Sequence, residues 1–213
     1  MLTHADKSRV RESISAIATR TSQIVQAATD PWQAISFVKS LHTSIDKVVA
    51  TVRTDERQAE CKPGCAFCCS AKVEASDAEA LHIARVIRDL PAARQEELLE
   101  ALRHQSAERS KADDSERIPC SFLENEHCSI YADRPATCRK AHSLSAKACE
   151  AQAAQIPQNL ALALQCEVLI AGTNEGFRSS QLPATANELS AAVLAALTTE
   201  SAAERWYHGQ SLL

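Results

Sequence analysis

Apolar residues recur along the first third of the chain at three- and four-residue steps, the spacing of one helix face. Val10, Ile14, Ile17, Thr21, Ile24, Val25 and Ala28 make one stripe, and Trp32, Ile35, Val38, Leu41, Ile45, Val48, Val49 and Val52 a second. Asp30-Pro31 between them offers an N-cap and a proline suited to the first helical position. The pattern predicts two helices packed as an antiparallel hairpin over residues 1–58. Ser76 and Glu79 have the spacing of a capping box and open a third helix, with Leu81, Ala84, Val86, Ile87 and Leu90 inward. Pro91 starts another through Leu98, Leu99 and Leu102. Residues 105–117 are polar and read as a solvated helix end or linker. Later helices are expected around 146–155 and 157–171. Another is expected over 187–199 behind a Thr185/Glu188 capping box, and a last one from Ser201 with Glu204.

Two segments break this helical pattern. Glu60–Ser70 holds four cysteines around Pro63-Gly64, a turn rather than a helix interior. Residues 118–139 are irregular, with Pro119, Pro135 and a short strand-like piece at Cys128–Tyr131. The chain therefore divides into an N-terminal helical hairpin (1–58), a cysteine-cluster metal-binding region (59–155) and C-terminal helices packing on the same domain (156–213). Only four glycines occur, and few stretches are β-branched. The expected fold class is all-α, a helical bundle with an irregular cysteine-rich metal-binding loop region.

Charge and size narrow the function. A net charge of −4 disfavours a nucleic-acid binder working by bulk electrostatics. No run has the length of a membrane span, and the first ten residues lack the apolar core of a secretory signal. A cytoplasmic setting is the expectation, and thiols stay reduced there. A chain of 213 residues can bury a core without cross-links, so nine cysteines call for metal or redox chemistry.

Cys61-x3-Cys65-x2-Cys68-Cys69 is followed by Cys120, Cys128, Cys138 and Cys149. Thiolates are soft ligands for zinc, copper(I) or iron–sulfur clusters, and sulfurs two or three residues apart across a turn can converge on one centre. Eight cysteines suffice for two zinc sites or one polynuclear centre, with the second group completing the first. Adjacent Cys68 and Cys69 point in different directions, so they need not share an ion. His127 and His142 are candidate nitrogen ligands, although a surface histidine is the preferred reading of each. Cys166, between Leu164 and Val168, reads as a core thiol. The string Cys61-x3-Cys65-x-Phe67-Cys68 also has the spacing of the radical S-adenosylmethionine signature. Such enzymes need the repeated strand–helix units of a barrel, which this chain lacks. Iron–sulfur ligation stays open.

The cysteines, with Pro119-Cys120-Ser-Phe-Leu123, Cys128-Ser-Ile-Tyr131, Arg134-Pro135 and Cys138-Arg139, resemble the YkgJ-type cysteine-cluster family. The likeness spans about residues 61–140. It implies a zinc- or iron-chelating domain with Cys61, Cys65, Cys68, Cys69, Cys120, Cys128 and Cys138 as ligands. Cys149 fits as an eighth, in a stretch that departs from the usual pattern. A related cysteine-cluster domain in flagellin lysine N-methylases is associated with an iron–sulfur centre. By analogy, that implies an alternative: an iron–sulfur-dependent protein-modifying enzyme. Arg139 could temper thiolate charge beside a ligand, and Arg134 could bind a carbonyl or an acid; a structural clamp is the competing role for both. No catalytic residue and no organic cofactor site emerges from the sequence. The expected partner is a metal ion.

Overall fold

The computed structural model describes residues 3–52, 59–62 and 64–213. Expectations placed on residues 1–2, the Val52 side chain, residues 53–58 and Pro63 lie outside these. The fold is mostly helical. Thr3 and Asp6 form a capping box before α1 (His4–Gln26). Asp30 caps α2 (Pro31–Ser36), with the proline in its first turn. The second apolar stripe does not form one helix: the chain turns at Phe37 before α3 (Val38–Val52). A 3-10 turn, Phe67–Ser70, carries Cys68 and Cys69. Strand β1 (Glu74–Ser76) leads into α4 (Asp77–Arg88), where Ser76 and Glu79 cap each other as their spacing indicates.

Helix α5 (Ala92–Arg109) ends inside the segment read as a solvated helix end or linker, with Gln105 and Arg109 buried rather than solvated. It is followed by β2 (Leu123–Glu124), β3 (His127–Cys128), α6 (Ala136–Lys140) and α7 (Ala146–Glu150). Next come α8 (Leu160–Ser179), β4 (Ala186–Glu188), α9 (Leu189–Thr198) and α10 (Ala202–Tyr207). Helix α7 is shorter than expected and α8 continues past residue 171. The Thr185/Glu188 capping box does not form: residues 186–188 pair antiparallel with β1, and Glu188 itself caps α9 through the Ala191 amide. No helix among the described residues is long and apolar enough to cross a membrane.

The main partner of α1 is α8, with slighter contact to α2, rather than the second helix of an N-terminal hairpin. Gly172 and Gly176 explain the choice, since small residues let two helix backbones approach. A Cβ built on Gly176 would stand 2.4 Å from Thr21 Cβ, and one on Gly172 2.6 Å from Ile17 Cβ. The stripe is also narrower than its spacing suggested, since Ile24 is 47% exposed. Gly176→Ala should destabilise the protein by about 1–3 kcal/mol through overpacking. Urea denaturation of the variant checks this, and an unchanged midpoint would refute the close approach.

The main core joins α2, α4, α5, α8, α9 and α10, with Phe37, Phe177 and Trp206 stacked edge to face. A smaller core of Leu41, Ile45, Ala136, Leu162 and Cys166 lies between α3, α6 and α8. Cys166 is 0% exposed, a core thiol as expected.

Candidate metal centre

The C-terminal end of α5 joins the two cysteine segments. Arg109 is buried and donates to the carbonyls of Ser70 (2.8 Å), Glu116 (2.8 Å) and Ile118 (2.6 Å). The Ile118 amide bonds Ser70 O at 3.0 Å, and the Cys120 amide bonds Cys69 O at 2.9 Å. One turn earlier, the Gln105 amide nitrogen donates to Pro119 O (2.7 Å), while its oxygen accepts from the Ser121 amide (2.8 Å) and from Ser190 Oγ. Neither residue was singled out from the sequence. Their signal was available, because Leu98, Leu102, Gln105 and Arg109 continue one helical stripe whose last two members are polar.

A two-residue turn carries the next ligand candidate. Asn125 and Glu126 both have positive φ (49° and 64°), the requirement of a turn that matches strand twist. The hairpin sets Cys128 opposite Leu123, so the strand piece expected at 128–131 is shorter and begins at His127. Cys138 stands on α6, whose first amide, from Ala136, donates to Glu79 Oε1 at 2.6 Å. Arg139 donates to Asp46 (2.6 Å), Arg134 O (2.9 Å) and Ala132 O. Arg134 bonds Tyr131 O at 2.7 Å and lies over the Tyr131 ring. Both arginines clamp this loop through backbone carbonyls.

Cys61 is exposed, and its sulfur accepts from the Ser143 amide at 3.3 Å. The Cys65, Cys68 and Cys149 thiols lie near enough to act on it. Cys69 is influenced by Cys68, Cys120 and Cys128, and Cys138 by Cys120, Cys68 and Cys128. The predicted ligands thus form two overlapping neighbourhoods that share Cys68, while Cys166 stays apart in the small core. The two histidines differ. His127 is exposed, with Nδ1 on Asn125 O. His142 is buried rather than superficial; Nδ1 bonds Lys140 O and Nε2 accepts the Asn159 amide, so both nitrogens serve the loop.

A family model for the CxxCxxCC domain, described as "Putative zinc- or iron-chelating domain", matches residues 60–167. The chain belongs to this family. Its first spacing is one residue longer than the family's name spells, with three residues between Cys61 and Cys65. Comparisons with curated proteins and with solved structures found no match.

The donor set fits the metals named for this cysteine-cluster family. All nine cysteines are free thiols. Burial pushes the Cys120 thiol up to about 11 and also raises Cys61, Cys128 and Cys138. Neighbouring thiols raise these four further. Cys68 is shifted the other way, first by the Cys69 thiol bonded to it, then by its own backbone and by Arg117 and Arg134. So crowded a group of sulfurs resists shared negative charge, and a bound cation removes that resistance. Among the described residues no three His, Cys, Asp or Glu side chains already form a metal-ready group.

Proposed function

We propose that this chain chelates zinc or iron through a bipartite cysteine cluster. Its ligands are Cys61, Cys65, Cys68 and Cys69 from the first segment, with Cys120, Cys128, Cys138 and Cys149 completing it. The observation carrying this reading is that eight free thiols stand on segments tied to one another, the Cys120 amide to Cys69 O and the Ser143 amide to the Cys61 sulfur. Binding draws the thiols inward and releases their protons. The metal supplies the positive charge that lets several thiolates coexist. The chain's own residues keep the loops in place: Arg109 and Gln105 hold the two segments together, Glu79 holds α6, and Arg139 ties α6 to Asp46 on α3. A reducing compartment such as the cytoplasm keeps the ligands as thiols.

Anaerobic purification followed by elemental analysis and an absorption spectrum tests the proposal. Colourless protein with bound zinc, or brown protein with iron and acid-labile sulfide, supports chelation and identifies the metal. Reduced, folded protein that retains neither metal and takes up neither would overturn it. Cys65→Ser should lower the metal content, and unchanged content would remove Cys65 from the ligand set.

A further inference from the structure

We propose that the eight cysteines divide into two centres, an exchangeable one at Cys61, Cys65, Cys68 and Cys149 and a locked one at Cys69, Cys120, Cys128 and Cys138. This division rests on the chelation reading above. A different set of hydrogen bonds holds each group together. On one side, the Glu60 amide bonds Ser143 O at 2.9 Å, and the Ala146 amide bonds Glu60 Oε2 at 2.6 Å. Together with the Ser143–Cys61 contact, these bonds bring the Cys61 loop to α7, and α7 packs on the 3-10 turn. Cys149 therefore belongs with Cys61.

On the other side, Cys120 follows the Cys69 backbone, the β2–β3 hairpin carries Cys128, and α6 carries Cys138. Cys68 and Cys69 stand at the junction. Successive residues of a 3-10 turn leave its axis about 120° apart, so the pair can supply one ligand to each side. Each centre then has three cysteines of its own and one from this pair.

The two sides differ in access. Cys61 and Cys68 are exposed. Cys149 lines a cleft of about 280 Å³ with Phe67, Arg117 and Leu123, through which an incoming ligand can reach it. Cys120 and Cys128 instead pack against the main core, and Cys138 stands on the helix held by buried Glu79. Ligand exchange needs a free approach to the metal. The first centre offers it at two exposed thiols, whereas the four thiols of the second are all half-buried.

Anaerobic titration of the reduced full chain with cobalt(II), read by thiolate-to-cobalt absorption, tests the division. Saturation is expected at about two ions per chain, since a closed tetrahedral site takes about four ligands. A chelator challenge with EDTA should release half the cobalt in a fast phase and half in a slow one. Cys149→Ser should lose the fast half alone, and Cys61→Ser should reproduce that pattern. Cys128→Ser should lose the slow half; if it does not fold, the Cys61 and Cys149 variants still decide. One ion per chain, release in a single phase, or loss of both phases in Cys149→Ser would overturn the division and leave chelation standing. Folded, reduced protein that binds no cobalt, zinc or iron would overturn chelation itself, and the division with it.

Discussion

Glu79→Ala should lower stability at neutral pH by about 3–5 kcal/mol, the cost of breaking a buried charged network. The Glu79 carboxylate is buried and accepts from the Ser76 amide (3.0 Å), Ser76 Oγ (2.9 Å), the Ala136 amide (2.6 Å) and His42 Nε2 (3.2 Å). A carboxylate only accepts, so the histidine nitrogen facing it donates. Alanine would leave these donors buried without a partner. Urea denaturation checks the loss, and a midpoint matching the wild type would refute it.

The same carboxylate gives the protein an acid limit. Burial pushes its pKa up, but His42, the Ala136 amide and Ser76 outweigh burial and hold it below the ordinary 4.5. A lowered folded pKa means the stabilisation is complete above 4.5 and is lost as pH falls through the folded value. His82 adds a loss at higher pH. Burial lowers its pKa from 6.5 despite Asp133, 2.7 Å away, so protonation opposes folding below that point. Stability should therefore fall in two stages on acidification. Glu79→Gln should remove the lower stage and keep the upper one, as melts across the acid range can show.

Arg109→Met should cost about 3 kcal/mol or more, because charge-assisted bonds to the Ser70, Glu116 and Ile118 carbonyls vanish together. The side chain lies nearly isolated from water, so no solvent replaces the lost donors. Arg109→Lys should recover only part of this, since an ammonium lacks the planar fork that reaches several carbonyls. Denaturation curves of both variants give the comparison, and metal content should fall with stability. A methionine variant as stable as wild type would show that the clamp is dispensable.

Local chemistry made part of this fold readable. Asp30 before Pro31, and Ser76 before Glu79, satisfy helix termini with their own side chains, so sequence neighbours suffice to place them. Helix partners were not readable in the same way. The α1–α8 contact depends on Gly172 and Gly176, far along the chain from Ile17 and Thr21. Thr185 and Glu188 had the spacing of a cap, but pairing with β1 took the backbone instead. At the site, cysteine spacing named the ligand candidates without any structure. Their scaffold was hidden because Gln105 and Arg109 look like solvent-facing residues until the distant loop they bind is known. His42 and Glu79 were obscured likewise, the first within an apolar stripe and the second as an ordinary capping partner.

The link between Gln105 and Ser190 also makes the support of the cysteine segments depend on a helix far along the chain. It joins residues 85 apart, and β1 waits for β4 in the same way. The second cysteine segment lies against a side chain whose remaining partner belongs to α9. Contacts of such long sequence separation form late, after costly loop closure. During synthesis the eight thiols emerge before the helix that fixes their support. Under the chelation proposed above, the ligands are therefore complete in the chain before the scaffold that holds them is.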